Sequence, residues 1–330
     1  MSSVWGERVK LTIFGESRGA AIGIVIDGLP AGEAVDMEQC QAELARRAPG
    51  QCELASARKE PDEVRILSGI YNGMTTGTPL CAIIENVDAQ GEAQNPTIMR
   101  PSHADYTAYV KYKGFADMRG GGHFSGRLTA PLVFAGSVAK QVLARRGVEI
   151  SAKAVRIGNA QTQQAMTDEI LAAKADGDSV GGIVEIIAQG VPVGLGAPFF
   201  GSMESTLAGL FFSIPAVKGV EFGGGFALAY QRGSQANDQM RVDNADIDFL
   251  SNNSGGILGG ITNGAPITAR IAFKPTPSIA KEQMSIDLAT MQDTTVSTSG
   301  RNDPCVVLRA VPVAEACMAV AILDKWEDCR

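Results

Sequence analysis

The chain has little histidine, little cysteine and few aromatic residues, and each shortage removes a class of function. Two histidines, His103 and His123, stand among 330 residues, and neither has a zinc-ligand neighbour at a useful spacing. The six cysteines (40, 52, 81, 305, 317 and 329) form no C-x-x-C pair. A structural metal site is therefore not expected. Nor is a disulfide framework, because a chain of this size builds core enough without one. Basic residues are outnumbered, 29 Lys and Arg against 36 Asp and Glu, for a net charge of −7. That balance argues against nonspecific nucleic-acid binding, which needs a basic surface. It leaves open a small anionic ligand held by a local arginine cluster. Long apolar runs are missing too: the uncharged stretches near 186–203 and 251–269 are broken by Gly, Pro, Asn and Ser, so neither reads as a membrane span. The opening residues, MSSVWGERVKLTIFGES, lack the uninterrupted apolar stretch of a signal peptide. A soluble, cytoplasmic protein is expected.

What the chain does have is apolar residues, 45% of the total, and glycine, 38 of 330, well above the usual ~7%. The glycines cluster at Gly120-Gly121-Gly122, Gly223-Gly224-Gly225 and Gly255-Gly256 with Gly259-Gly260. Ile22–Asp27, Leu80–Val87, Ile183–Ala188 and the alternating Ile267–Phe273 read as strands. Asp36 with Gln39 makes a capping-box pattern for a helix running to about Ala48. Thr129 and Pro131 open a longer helix that Gly147 stops. Thr167–Ala175 and Val313–Trp326 read as two more. Strands mixed with helices, without strict βαβ alternation, predict an α+β fold. No solenoid period and no Pro- or Ser-rich linker divides the chain, so residues 1–330 read as one domain. There is no P-loop, and the 255–260 run does not match G-x-G-x-x-G.

Four polar, glycine-laced segments carry the candidate chemistry. They are Phe14–Gly19, Arg100–Tyr106 with Arg119–Arg127, Asn252–Gly264 with Lys274–Ser278, and Ser299–Pro304. Each combines backbone N–H groups freed by glycine with Arg, Lys, Ser or Thr, a set that neutralises and orients a phosphate or carboxylate. Both histidines lie in the second segment and are the natural proton-transfer candidates. Each feature also has a plainer reading. Glycine-rich segments are commonly turns, Asp105 and Asp303 read equally as turn caps, and Arg46 and Arg47 as complements to a helix dipole.

The same segments, in this order, resemble the chorismate synthase family over nearly the whole chain. Phe14-Gly15-Glu16-Ser17 is similar to its F-G-E-S-H-G start, Glu60-Pro61-Asp62 with Ile66–Gly69 to E-P-D-x-V-x-I-L-S-G, and Arg100–Tyr106 to R-P-G-H-A-D-Y. Asn252–Gly264, Lys274–Ile279, Arg301–Cys305 and Arg309–Pro312 complete the set. The resemblance implies antiparallel sheets sandwiching a helical layer, in a cytoplasmic homotetramer with neither nucleic acid nor membrane as partner. It implies the 1,4-elimination of phosphate from 5-enolpyruvylshikimate 3-phosphate (EPSP), a small anionic substrate, to give chorismate in the shikimate pathway. Reduced FMN is the implied cofactor, with NADPH as a candidate source of its electrons and no metal.

By the same resemblance His103 is a proton donor near the flavin, Asp303 assists proton removal, and Arg18 stands where the family has the histidine that protonates the departing phosphate. Flavin binding falls to His123, Phe124, Ser125, Pro215, Ala216, Gly259, Lys274, Pro275, Thr276, Pro277, Ser278 and Arg301. Arg47, Ser17 and Arg127 are the implied contacts for the anions of the substrate or of NADP. The chain departs from the family's motifs at Arg18 and at His123, Phe124 and Leu128 (R, S and E of G-G-G-R-S-S-A-R-E). It departs again at Pro215, at Asn302 (H of R-H-D-P-C), and at Glu53, where many members have arginine. These changes keep two alternatives open: a homologue that takes a less anionic ring carboxylate, and a non-catalytic binding subunit that keeps the fold.

Overall fold

Buried and half-exposed side chains alternate strictly along Ile267–Phe273, the mark of a strand with one face on a core. It pairs on both edges, with Val217–Phe222 and with Gly182–Gln189. The computed structural model describes residues 3–50, 54, 60–87, 95–243, 246–298 and 303–328. In chain order the first sheet takes β1 (Val4–Trp5), β2 (Lys10–Gly15), β3 (Ala21–Asp27), β4 (Val64–Ser68) and β5 (Leu80–Glu85). Their order is β1-β2-β3-β5-β4, antiparallel throughout. The second sheet takes β6 (Glu149–Ile157), β7 (Gly182–Gln189), β8 (Val217–Phe222) and β9 (Ile267–Phe273), in the order β8-β9-β7-β6, again antiparallel.

Among the described residues, six helices of seven residues or more are α1 (Met37–Arg47), α2 (Asp105–Lys111), α3 (Thr129–Ala144), α4 (Gln163–Ala175), α5 (Met203–Ser213) and α6 (Val307–Asp328). α3 and α6 pack on each other; α3 also lies on the first sheet and α6 on the second. This is the α+β sandwich that the resemblance implies. Every residue of α3 from Thr129 to Ala139 is buried, as is every residue of α6 from Pro312 to Lys325. A helix covered on all sides belongs in the middle of a fold.

In the helical layer Gly136 of α3 lies directly against Ala316 of α6. A Cβ added at Gly136 would fall 2.2 Å from the Ala316 Cβ and 2.3 Å from its Cα. The obstacle is partly backbone, so it cannot rotate away. Gly136→Ala should therefore destabilise the protein by about 1–3 kcal/mol through overpacking, read as a lowered Tm. An unchanged Tm would mean that the two helices separate freely.

Local sequence rules account for most boundaries. The Asp36 carboxylate accepts from the N–H groups of Glu38 (2.9 Å) and Gln39 (3.2 Å) and caps α1 as expected. Two helices start earlier than their sequence signals. α4 begins at Gln163, one turn before Thr167, because Thr162 serves as its cap. α6 begins at Val307 and runs through Pro312; a proline removes one helical hydrogen bond, but burial of the whole segment outweighs that loss. The buried Asp324 of α6 is satisfied by three successive amides, those of Glu7 (3.0 Å), Arg8 (2.7 Å) and Val9 (2.8 Å), which fasten the entry to β2 onto the helix.

Candidate active site

Antiparallel pairing collects the motif segments at the ends of the sheets. Gly15 of β2 sits opposite Ile22, and Ala21 of β3 opposite Glu85 of β5, so the 16–20 loop and Asn86 share one edge. In the second sheet Phe273 of β9 pairs with both Val217 of β8 and Gly182 of β7. Residues 179–181, 215–216 and 274–278 therefore leave the sheet together. α1 ends at this place and α3 begins there: the Arg47 Nε donates to Thr129 Oγ1 (3.2 Å). α6 begins there too, with Arg309 Nε donating to the Arg47 carbonyl (3.0 Å). Two helix N-termini beside these loops favour a bound anion.

The first cluster is the turn Gly120-Gly121-Gly122, with φ of 61°, 89° and 54°, the region that side chains other than glycine avoid. A Cβ at Gly122 would fall 1.8 Å from the Asp117 carbonyl oxygen. The turn presses on the first motif. Ser17 N–H donates to the Gly122 carbonyl (3.1 Å), and a Gly120 Cβ would lie 3.1 Å from Arg18 Nε and 3.2 Å from Ser17 Oγ. Ser17 is 1% exposed, and its hydroxyl has no hydrogen-bond partner among the described residues.

The second cluster surrounds His103. Its Nδ1 lies 2.6 Å from Asp105 Oδ1. Arg100 grips the same carboxylate with its backbone N–H (3.0 Å), its Nε (2.8 Å) and a terminal nitrogen (2.8 Å). Burial alone would raise the Asp105 carboxyl, but hydrogen bonds from Arg100 and His103 hold it well below the usual carboxylate range. The other ring edge faces glycine: a Cβ at Gly121 would lie 3.4 Å from His103 Nε2. Lys274 Nζ donates to the Ser102 carbonyl (2.6 Å), which joins this cluster to the 274–278 segment. Burial lowers the Lys274 ammonium from its ordinary value, and the charge of Lys218 adds to the effect. Beside them opens a cleft of about 260 Å³ lined by Ser102, Ser179, Lys274, Thr276 and their neighbours.

The third cluster is buried and ionic. Arg47 donates to Asp62 Oδ2 (2.6 Å), Arg127 pairs with Glu60 Oε2 (2.6 Å) and with Asp62 Oδ1, and Arg309 pairs with Asp303. Burial lowers the Arg47 guanidinium to about 10, opposed by Asp62 and reinforced by Arg309 and Arg127. Asn86 ties this cluster to the first: it donates to the carbonyls of Glu16 (3.0 Å) and Gly19 (2.9 Å) and accepts from Arg127 Nε (2.9 Å). Thr276 Oγ1 donates to the Asp303 carbonyl (3.0 Å), closing the ring between the second and third.

The structure thus brings together Ser17, Arg18, Arg47, His103, Arg127, Lys274, Thr276 and Asp303. Ala216 accepts the backbone N–H of Lys274 (2.9 Å), which sets Pro215 and Ala216 beside that segment. His123 bridges Ser3 Oγ (2.8 Å) and the Gly15 carbonyl (2.8 Å). Phe124 stands edge-on to Tyr112 at 6.1 Å, and Ser125 Oγ caps the turn into α3 by accepting from Arg127 N–H (3.2 Å). Gly259 lies in the hairpin of Ile257–Leu258 and Ile261–Thr262. The hydrogen bonds of that hairpin to other segments run to Pro192, Gly194, Leu195 and Met203. Glu53, Arg301 and Asn302 lie outside the described residues. The sequence gives no part to Asn86, and it places Asp105 in a motif without a role of its own, readable equally as a turn cap. The His-x-Asp spacing with an arginine three residues upstream was the available signal for Asp105; Asn86 offers none.

Two antiparallel sheets enclose a helical layer, and guanidinium, ammonium and hydroxyl groups gather around one clamped imidazole. This is the frame of an enzyme for an anionic substrate. A family model described as chorismate synthase matches residues 9–326. A chorismate synthase from Korarchaeum cryptofilum is 45% identical over 347 residues, covering 97% of this chain and 96% of the relative. One from Pyrococcus abyssi is 46% identical over 344 residues, with the same two coverages. A crystal structure of chorismate synthase superposes with a TM-score of 0.78 at 27% identity, covering 98% of this chain and 93% of that one. The chain belongs to the chorismate synthase family and is a carbon–oxygen lyase acting on phosphate. Use of reduced FMN and a multimeric state are general features of that family.

Proposed function

We propose that this chain eliminates phosphate from EPSP to form chorismate with reduced FMN, at the site where the three clusters meet. The observation that carries the reading is the junction of the clamped His103 with the 274–278 segment through the 2.6 Å bond from Lys274 to the Ser102 carbonyl. The residues fit a flavin and a phosphate-bearing substrate. The buried Ser17 hydroxyl lacks a partner among the described residues, Gly121 brings no side chain against the Nε2 edge of His103, and the adjoining cleft presents an ammonium among hydroxyl groups. Lys274, Pro275, Thr276, Pro277, Ser278 and Ser125 would hold the flavin, together with Ala216 and Arg301. Reduced flavin, when bound, supplies the electron density that lets phosphate leave without net redox change.

The remaining work belongs to the chain. His103, next to the cleft-lining Ser102, takes up and returns a proton. Asp303, paired with Arg309 and tied through its carbonyl to Thr276, is the carboxylate that receives one. Arg18 holds the departing phosphate as a fixed cation. Arg47 and Arg127 shape the site from behind, through Asp62 and Asn86. A homotetramer is part of the reading and is supported by exposed Phe199, Phe200, Phe226 and Tyr230, since large exposed apolar groups mark contact surfaces. NADPH as reductant and a cytoplasmic setting complete it; among the described residues no helix is long and apolar enough to cross a membrane.

Anaerobic incubation of EPSP with pre-reduced FMN, followed as chorismate formation, tests the reading. Chorismate should appear in proportion to enzyme, and FMN should titrate saturably in its reduced form. Absence of saturable binding of either oxidised or reduced FMN would overturn it. FMN binding without chorismate formation would favour a less anionic ring carboxylate as substrate.

A further inference from the structure

We propose that Asp105, held by Arg100, is a positioning residue that fixes the proton of His103 on Nδ1 and so makes Nε2 the nitrogen that exchanges protons with the site. The inference deepens the proposed function and rests on its placement of His103 at the reacting centre. The carboxylate geometry decides the tautomer. Asp105 Oδ1 lies 2.6 Å from His103 Nδ1, and an ionised carboxylate can only accept. With a lone pair on Nδ1, two acceptors would face each other at that distance; with a proton on Nδ1, the contact is a charge-assisted hydrogen bond.

Arg100 is the competing partner, because its terminal nitrogen lies 3.0 Å from the same Nδ1. That nitrogen, however, is closer to Asp105 Oδ1, at 2.8 Å, and the guanidinium Nε meets Oδ2 at 2.8 Å. The guanidinium fork is satisfied by the carboxylate, and the histidine takes the place left on the same oxygen. Arg100 therefore aims the carboxylate and Asp105 aims the ring. The tautomer of an imidazole is set by the hydrogen bond that its other nitrogen makes, so Nε2 is left without the resident proton. It faces Gly121, where a Cβ would come to 3.4 Å. The glycine packs beside that nitrogen without offering it a side-chain partner, while among the described residues the charged contacts of the ring, to Asp105 and Arg100, are on the Nδ1 side.

The sequence makes the test clean, because the chain holds two histidines. Two-bond proton–nitrogen correlation spectra of the uniformly ¹⁵N-labelled chain show two imidazoles, assigned with His103→Gln. The neutral His103 should show a protonated Nδ1 and an unprotonated Nε2. Asp105→Asn should move its population toward the other tautomer, and Asp105→Glu, which keeps a carboxylate, should restore it. Chorismate formation in Asp105→Asn should fall about 10²-fold, the scale of a general acid's contribution, with FMN binding retained. A neutral His103 in the unsubstituted chain with its proton on Nε2 would overturn the inference, as would a His103 spectrum unchanged in Asp105→Asn. If Asp105→Asn does not fold, the unsubstituted chain and Asp105→Glu decide it. The expected tautomer in a chain that forms no chorismate would sink the proposed function and leave this inference standing.

Discussion

Asp62→Asn should lower folding stability by roughly 3–5 kcal/mol, the cost of removing one partner from a buried ion pair. Asp62 is fully buried and serves two guanidiniums at once: Arg47 on Oδ2 at 2.6 Å and Arg127 on Oδ1. Arg47 is 2% exposed, and among the described residues its one other side-chain hydrogen bond goes to the Thr129 hydroxyl. Neutralising Asp62 would leave that cation with only the weaker influence of Asp303, in a place where burial already pulls its pKa down to about 10. Arg127 keeps Glu60 at 2.6 Å, so Arg47 bears most of the loss. Asparagine matches the shape of aspartate and tolerates the φ of 50° found at this position, so backbone strain does not enter. The measurement is Tm in the unsubstituted and substituted proteins. A shift equivalent to less than about 1 kcal/mol, the value of an exposed pair, would mean that water reaches Arg47.

The same network shows how far the sequence could be read. Arg47 and Arg127 were legible as anion-binding residue types, yet their counter-charge was not. Asp62 is 15 residues from one and 65 from the other, and nothing in residue spacing joins them. Only the antiparallel pairing of β5 with β3 on one side and β4 on the other brings the 60–62 stretch, Asn86 and the start of α3 together. What neutralises a guanidinium is a fact of topology, and the site reads as far richer in free positive charge from the sequence than it is in the fold.

Elements with a repeating signal were legible for the opposite reason. The period of two in Ile267–Phe273 reflects a single buried face and gives the strand to the residue. Glu149–Ile157 interposes Lys153 and Arg156, is half-exposed over most of its length and passes unnoticed. The start of α6 was hidden by Pro312, a local veto that tertiary burial overrides. His123 was placed in the flavin segment by its motif register, but its two ring nitrogens are engaged by Ser3 and Gly15. The structure gives it a tie between the N-terminal segment, β2 and the glycine turn.

Arg18→His should raise the rate of chorismate formation, by up to about 10²-fold if general-acid catalysis is restored at the low end of its usual range. Arg18 lies against the glycine turn, with its Nε 3.1 Å from the Cβ position of Gly120, beside the buried Ser17. Arginine as a residue type does not serve as a proton donor to a departing phosphate. It can hold a phosphate oxygen through its fork and stabilise the charge that develops there. The unsubstituted chain should therefore turn over slowly, with no limb of its pH profile arising from position 18. The histidine variant should gain such a limb: faster where the imidazole is protonated, falling as pH rises through its pKa. Removing the fixed charge should weaken substrate binding at the same time, so kcat and KM should both rise. The double variant Arg18→His with Asn302→His restores both motif histidines and should be the fastest of the three. If neither variant forms chorismate faster while FMN and EPSP still bind, phosphate protonation does not limit this enzyme. A less anionic ring carboxylate, whose leaving group needs no acid at position 18, would then be the substrate to try.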